Sequence, residues 1–239
     1  MSYRYGRLAA QFPAAVSDLT HYAAGPLPKA PAKVAVPAVA DWGMLGNDRY
    51  GDCGVAGLEH GFMADAAVLG LNEPPAADAQ AIGYYLTYTD GADNGVVLSQ
   101  YLAYVRQHGY FGHNVAAYAP VSVKDIPTLQ FAVSAFDFAY TGIVVTQAME
   151  EASADGRPWT LDDLDSPVAG GHCVPIVGYD TSYLYAVTWG TVQPIAYSAW
   201  HYIADEAWAV ITGELTAANS DGRGIALPAL QADLSRLEA

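Results

Sequence analysis

One cysteine of this sequence sits where a thiol could act as a nucleophile. The stretch "GNDRYGDCGVAG" places Cys53 directly after a Gly-Asp turn and before a run of small and apolar residues. The apolar residues beyond it have the spacing of one helical face, which predicts a helix beginning at Cys53 and capped by Asp52. The partial positive charge of a helix start favours the thiolate, the attacking form of cysteine. Cys53 is therefore a candidate nucleophile, with a buried structural thiol as the alternative.

A nucleophilic cysteine also needs a base within hydrogen-bond reach, and His172 is the better candidate. His60 lies seven residues further along the same predicted helix, about 10 Å down its axis. His172 opens a predicted strand in "GGHCVPIVGYD", after two glycines that allow close backbone approach. Cys173, the next residue of that strand, points to the opposite face, so a disulfide with Cys53 is not expected. His60 and His113 are expected to be structural.

These stretches together resemble a known enzyme family. "YGDCGVAG", then "GGHCVPIVGYD" about 120 residues later, then "YAVTWG", with "VADW" ahead of them, are similar to the motifs of papain-like cysteine peptidases. The resemblance implies a papain-like α+β fold, with an N-terminal helical half whose central helix starts at the cysteine and a C-terminal antiparallel sheet. It also implies that Cys53 is the nucleophile and His172 the general base.

The oxyanion donor implied by the resemblance is altered here. The family has a glutamine six residues before the cysteine, and this chain has Asn47. Asparagine carries the same amide donor on a shorter stem, so Asn47 and the backbone N–H of Cys53 could together stabilise an oxyanion. The tryptophan that comes after the cysteine in the family is Gly54 here.

The third catalytic position departs further from the family. Val187 stands where the family has an asparagine, and a valine cannot orient an imidazole. A short turn at "DTSY" would bring Thr188 or Thr191 near His172, and either hydroxyl could replace the amide. Asp180 cannot, because eight strand residues separate it from His172 by roughly 26 Å. The site is then either a Cys-His dyad or a papain fold that has lost catalysis.

These residues support two hypotheses about function. The first is a thiol hydrolase that cleaves peptide or amide bonds of a peptide or protein substrate. The second arises because the layout also resembles papain-like proteins encoded by actinobacterial bacteriophages and prophages. It is a catalytically degenerate structural or interaction protein of a phage particle, a capsid or tail component with other phage structural proteins as partners. A cell-wall amidase is a third possibility, disfavoured by the acidic charge and the lack of an export signal.

Composition and charge exclude several other classes. The 239 residues carry a formal charge of −15, which repels nucleic acid. The uncharged stretch 181–204 alternates like a strand, so no membrane span is expected, and the N-terminus does not resemble a signal peptide. We therefore expect a protein of the host cytoplasm or the virion. No spacing indicates a metal site or a cofactor.

The predicted elements are helices first and strands second. Besides the helix 53–69, helices are predicted in 73–89, with Glu73 and Pro75 in the first turn, and in 97–109 and 125–137. Strands are predicted in 140–147, 171–179, 183–190, 192–199 and 206–213, with a long polar loop over 150–171. The predicted organisation is an extended N-terminal arm (1–40), a papain-like domain (41–213) and a tail (214–239) containing a short docking helix.

Overall fold

Within the described residues, the sheet is antiparallel throughout and has six strands. A computed structural model describes residues 3–71, 77–218 and 222–237. The strands are adjacent in the order β1-β6-β2-β3-β4-β5, which places β2 and β3 at the centre. Their bounds are β1 Val115–Pro120, β2 Ala139–Thr146, β3 Val168–Tyr179, β4 Tyr183–Thr188, β5 Thr191–Ala196 and β6 Ala204–Thr212.

Most of the helices precede the sheet or connect its strands. The longest, α1, begins at Cys53 as the sequence predicts. The helices are α1 Cys53–Leu69, α2 Asp78–Tyr88, α3 Leu98–His108, α4 Ile126–Phe136, α5 Gln147–Ala154, α6 Tyr197–Ile203, α7 Gly213–Ala218 and α8 Leu227–Leu237; the 3-10 helices are Leu19–Tyr22, Leu161–Leu164 and Gly222–Gly224. The predicted α+β class, with a helical first half and an antiparallel second half, is confirmed.

Several predicted boundaries differ from the structure. The second helix starts at Asp78, and its expected first turn with Glu73 and Pro75 lies outside the described residues. The predicted polar loop 150–171 is wrong at both ends, because α5 runs to Ala154 and β3 begins at Val168. Strand β1 was not predicted, and the predicted strand 192–199 ends at Ala196, where α6 begins. These elements are short, and their patterns are set by their neighbours rather than by their own periodicity.

Helix α1 packs closely on the central strands, and glycines allow it. A Cβ at Gly57 would lie 2.9 Å from the sulfur of Cys173 in β3. A Cβ at Gly61 would lie 2.3 Å from the ring of Phe138, just before β2. The first half of α1 is buried on every face, so it is a core helix rather than an amphipathic surface one. This packing fixes Cys53, at the start of α1, against the sheet.

Over the described residues 3–52, the N-terminal region runs along the folded body and forms one short 3-10 helix, Leu19–Tyr22. Residues 23–40, predicted as an extended arm, contain an isolated antiparallel bridge in which Val34 and Tyr179 exchange backbone hydrogen bonds of 2.8 and 3.0 Å. Trp42, from the "VADW" stretch, is buried. None of the helices in the described part of the chain is long and apolar enough to cross a bilayer.

We expect Gly61→Ala to destabilise the protein by about 1–3 kcal/mol, the usual cost of overpacking a core. The added methyl group would overlap Phe138, whose ring is fully buried and cannot move away. The measurement is urea unfolding monitored by tryptophan fluorescence. The matched control is Gly83→Ala in α2, where nothing lies within 4 Å of the new Cβ and helix propensity gives a small gain. Equal effects of the two substitutions would contradict this account of the α1 interface.

Candidate active site

Cys53 occupies the first position of α1, but its thiol is not activated in this state. Its side chain is almost completely buried. Burial raises the pKa of the Cys53 thiol to about 11, although the backbone groups of Gly6 and Cys173 beside the sulfur act in the opposite direction. Desolvation therefore outweighs the helix start, and the expected lowering of the pKa is not seen while the thiol is covered.

Asp52 is the N-cap residue of α1, but its side chain does not cap the helix. No hydrogen bond joins its carboxyl to the first turn. Its Oδ1 instead accepts a hydrogen bond of 3.2 Å from Nδ2 of Asn47, and its Oδ2 is buried without a partner among the described residues. Burial raises the pKa of Asp52 to about 8, while the hydrogen bond from Asn47 lowers it. The carboxyl next to the thiol is therefore largely protonated at neutral pH.

Asn47, the predicted oxyanion donor, is buried and fully engaged. Besides Asp52, its Nδ2 lies 3.3 Å from the carbonyl oxygen of Arg4 and 3.4 Å from that of Tyr50. One of these acceptors, Arg4, belongs to the N-terminal segment. Displacement of that segment would free amide hydrogen-bonding capacity beside Cys53.

His172 is oriented by the hydroxyl that the sequence suggested. Its Nε2 lies 2.6 Å from Oγ1 of Thr188, so of the two candidate hydroxyls it is Thr188, not Thr191, that contacts the imidazole. The Thr191 hydroxyl donates to the carbonyl of Thr188 instead. Burial lowers the pKa of His172 to about 3, with a smaller contribution from the charge of Arg7. The imidazole is neutral at pH 7 in this state.

A tight turn carries the indole that covers His172. Trp189 and Gly190 are the two residues between β4 and β5, and both have positive φ, at 48° and 75°. Such turns match the twist of a hairpin, but a tryptophan with positive φ is unusual and costs energy. The strained turn holds the indole stacked on the imidazole, with ring centroids 5.0 Å apart. The Trp-Gly turn thus places the indole of Trp189 over the imidazole of His172.

The groove between the helical half and the sheet is filled by the N-terminal segment, residues Tyr3–Leu8. On one side, the N–H of Val96 donates to the carbonyl of Gly6 at 2.7 Å, and the N–H of Leu8 donates to the carbonyl of Val96 at 2.9 Å. On the other, the N–H of Arg7 donates to the carbonyl of Gly171 at 3.2 Å. The N-terminal segment is therefore bound as an extended peptide between the two halves.

Glycines line the groove because the bound backbone leaves no room for side chains. A Cβ at Gly6 would lie 1.6 Å from the carbonyl oxygen of Gly51. A Cβ at Gly95, which has positive φ, would lie 2.2 Å from the carbonyl oxygen of Gly6, and one at Gly170 would lie 2.6 Å from Cβ of Tyr5. Sequence reasoning did not identify residues 3–8 as part of the site. The glycine between bulky neighbours in "YRYGR" is the one signal that they carry.

The predicted site residues surround one bound side chain. Tyr5 packs edge-on against His172, with ring centroids 5.6 Å apart, and the backbone of the next residue, Gly6, lies at the sulfur of Cys53. Within the described residues, Nδ1 of His172 has no hydrogen-bond partner, so no hydrogen bond joins it to the thiol of Cys53. The structure thus joins His172 to Thr188, joins Asn47 to Asp52, and leaves the thiol and the imidazole separate beneath Tyr3–Leu8.

The remaining candidates have structural contacts. Nε2 of His60 lies 2.9 and 3.1 Å from the carbonyls of Trp42 and Gly43, and Nδ1 of His113 lies 2.9 Å from Glu214. Cys53 and Cys173 are both free, buried thiols, and the sulfur of Cys173 packs against Gly57 of α1. No group of three His, Cys, Asp or Glu residues within the described ranges is arranged to hold a metal ion.

The departure at Gly54 has a steric reason. A Cβ at this position would lie 2.2 Å from Val96, the residue that pairs with the N-terminal segment. The carbonyl of Gly54 also accepts a hydrogen bond of 2.7 Å from the buried hydroxyl of Tyr140. Any side chain at this position would collide with Val96, whose backbone pairs with the N-terminal segment.

Comparison with solved structures shows which known fold this chain shares. No family model and no curated protein matches the sequence. Among solved structures, the chain is similar to xylellain, a cysteine protease from Xylella fastidiosa, with a TM-score of 0.66 and 14% identity over 88% of this chain and 96% of the other. It is also similar to digestive procathepsin L 3 of Tenebrio molitor larval midgut, with a TM-score of 0.58 and 13% identity over 87% of this chain and 76% of the other.

A third similar structure contains the cysteine protease and lectin-like domains of Cwp84, a surface layer associated protein of Clostridium difficile. It has a TM-score of 0.51 and 13% identity over 87% of this chain and 55% of that one. At this level of identity the three likenesses establish the fold. The chain has the fold of papain-like cysteine proteases, which confirms the resemblance carried by its motifs at the level of structure.

We expect Asp52→Asn to stabilise the protein increasingly as the pH rises. The folded-state pKa of Asp52, about 8, lies above the usual value of 3.8. The stability of the unsubstituted protein therefore falls between these two pH values, because the unfolded state loses the proton first. An asparagine keeps the acceptor for Asn47 and does not titrate. The measurement is the urea midpoint of both proteins at pH 5, 7 and 9, and a difference that stays constant over this range would contradict it.

Proposed function

We propose that this protein is a thiol hydrolase that cleaves peptide or amide bonds, and that the N-terminal segment holds it in a latent form. Cys53 is the nucleophile and His172 the base. The observation that carries the proposal is the hydrogen bond between His172 and Thr188, which leaves Nδ1 of a buried imidazole unpartnered in a groove that already binds an extended peptide.

The proposed reaction passes through an acyl-enzyme. The sulfur of Cys53 attacks the carbonyl carbon of the substrate, and His172 takes the thiol proton. The oxyanion accepts hydrogen bonds from the N–H of Cys53 and from Nδ2 of Asn47. His172 then gives its proton to the leaving amine as the C–N bond breaks, and a water molecule, activated by the same imidazole, releases the acid product.

Latency results from burial. With the groove filled, the pKa of the thiol is raised to about 11 and that of the imidazole is lowered to about 3, so both groups are neutral at pH 7. When water enters the groove, the desolvation that raises the pKa of the thiol and lowers the pKa of the imidazole is removed. Departure of Arg7 also removes a cation that disfavours the imidazolium. Both changes favour a thiolate-imidazolium pair once the segment is displaced.

A second candidate function is a structural protein of a phage particle that keeps the fold without the reaction. The covered, neutral thiol and the replacement of the family's asparagine by Val187 are compatible with a retired site. In this case Tyr3–Leu8 is a permanent part of the fold. The two candidates predict different behaviour of Cys53 when the groove is opened.

We expect Gly6→Ala to displace the N-terminal segment and activate the thiol, because the new Cβ would overlap the backbone of Gly51. At pH 7, iodoacetamide should alkylate Cys53 in this variant at least tenfold faster than in the parent, whose rate should rise only as the pH approaches 11. Peptide mapping distinguishes Cys53 from Cys173. The matched control is Gly25→Ala, in the same arm, where nothing lies within 4 Å of the new Cβ.

The same variant separates the two candidate functions. Hydrolysis of a casein or mixed-peptide substrate that is lost in Gly6→Ala/Cys53→Ser supports the enzyme. Faster alkylation that does not depend on His172, without any hydrolysis, supports the structural protein. Equal alkylation of the parent and Gly6→Ala at pH 7 would show that Tyr3–Leu8 does not cover the thiol.

We expect Thr188→Val in the Gly6→Ala background to lower kcat by about tenfold or more, since general base catalysis contributes about 10²–10⁴ in rate and depends on imidazole orientation. KM should change little, because Thr188 is buried behind the imidazole. Thr188→Ser keeps the hydroxyl and should retain most of the rate. If valine and serine have the same kcat, Thr188 does not position His172.

A further inference from the structure

The N-terminal arm is also held outside the groove, by the tail. Ala23 and Ile225 form an isolated antiparallel bridge. The backbone hydrogen bonds on its two sides measure 2.9 and 2.7 Å, and in each of them an N–H of one segment donates to a carbonyl of the other. Residues 16–24 of the arm and residues 224–234 of the tail thus bind each other, and we call this contact the clasp.

A buried tyrosine joins the two sides of the clasp. Tyr22 is 3% exposed, and its phenol donates a hydrogen bond of 2.7 Å to Oδ2 of Asp233 in α8. The same phenol oxygen accepts a hydrogen bond of 3.1 Å from the N–H of Ser17. Leu19 and Ile225 are buried as well. The clasp therefore removes apolar side chains from water and satisfies the phenol that it buries.

The tail is itself fixed to the folded body, so the clasp is anchored. Leu230 and Leu234 of α8 are completely buried, and α8 packs against the edge strand β1. Nη1 of Arg223 donates to the carbonyl of Ala135 in α4 at 2.6 Å. The arm thus gains at the clasp an attachment to the body that does not depend on the groove.

A short connector, residues 9–15, joins the clasp to the groove segment Tyr3–Leu8. Every residue of this connector is exposed or half-buried. Phe12 stacks on Trp208, with ring centroids 5.4 Å apart, but it stays 53% exposed, so this contact buries little of its ring. Tyr3–Leu8 can therefore leave the groove while the clasp keeps the arm nearby.

The clasp raises the effective concentration of Tyr3–Leu8 at its own groove. With the clasp closed, the free chain from Leu8 to Val16 spans about 8 residues. With the clasp open, the next hydrogen bond between the described arm and the body is the one of 3.0 Å from the phenol of Tyr179 to the carbonyl of Pro31, and the free chain grows to about 23 residues. Effective concentration falls with about the three-halves power of tether length, so opening the clasp lowers it about fivefold.

We propose that the clasp between the arm and the tail regulates the latency of the candidate site, because its closure returns Tyr3–Leu8 to the groove and keeps Cys53 covered. The tail then acts on the thiol through the length of the free chain, without any change in the groove itself. This inference rests on the proposed latency, but it needs no hydrolysis, so the accessibility of Cys53 tests it.

The test places a reducible disulfide across the clasp in the full-length variant Tyr22→Ala/Ala23→Cys/Ile225→Cys. Ala23 and Ile225 do not hydrogen-bond each other, and antiparallel pairs of this kind have Cα atoms about 4.5 Å apart, within the reach of a disulfide. Loss of the Tyr22 side chain should open the clasp in the reduced form, and the disulfide should hold it closed in the oxidised form. The two forms of one variant are therefore matched.

Iodoacetamide is added at pH 7 after the reductant has been removed, and peptide mapping follows each cysteine separately. Cys53 should react about fivefold faster in the reduced form than in the oxidised form, because the thiol reacts in proportion to the fraction of molecules with an open groove. Cys173 is the internal control, since it is buried in the body. General loosening of the fold would speed both thiols, whereas opening of the clasp should speed Cys53 alone.

Equal rates at Cys53 in the two forms, or an equal rise at Cys173, would overturn the regulatory role of the clasp. Gly6→Ala, measured alongside, then shows whether the proposed latency fails with it. Fast alkylation of Gly6→Ala would leave Tyr3–Leu8 as the cover of the thiol, and slow alkylation would remove both proposals.

Asp233→Ala takes the place of Tyr22→Ala if the latter does not fold. It removes the acceptor of the phenol and leaves the ring of Tyr22 in the clasp. The same comparison of the reduced and oxidised forms applies, with the same faster reaction of Cys53 expected in the reduced form, and equal rates overturn the proposal there too.

Discussion

Desolvation of Cys53 and His172 by the N-terminal segment is the constraint on which the chemistry of this molecule depends. Tyr3–Leu8 lies between the helical half and the sheet, and both titratable groups are buried beneath it. Burial moves the pKa of the thiol up and that of the imidazole down, so neither carries charge at neutral pH. The helix start beneath Cys53 favours the thiolate, but this effect is too small to offset the loss of water.

The groove accepts a peptide because its walls lack side chains. Gly51 and Gly95 line the helical side, and Gly170 and Gly171 line the sheet side. Glycine in a strand weakens the sheet, and its presence marks a place where another backbone comes close. Arg7 adds a charge to this contact, because it neutralises Glu206 in the sheet interior. The fold and its bound segment are thus coupled through one buried ion pair.

In the proposed enzyme, a hydroxyl takes the place of the asparagine of papain-like proteases at the third position. Val187 is buried and pairs with Val192, whereas Thr188, one residue later, presents its hydroxyl to Nε2 of His172. A hydroxyl can both donate and accept, so it can serve the imidazole in either protonation state. The neighbouring Trp189, in the positive-φ turn between β4 and β5, stacks on the imidazole.

The sequence by itself determined the helix at Cys53, the strand at His172 and the nearness of a threonine hydroxyl, of Thr188 or Thr191, because each depends on local spacing. An apolar period defines α1, and strand alternation with a short turn brings Thr188 towards His172. Only the tertiary structure decided the state of the site. The contact between Asn47 and Arg4 and the ion pair between Arg7 and Glu206 join residues far apart in the chain. Desolvation depends on what covers a group in three dimensions, and no local pattern records that.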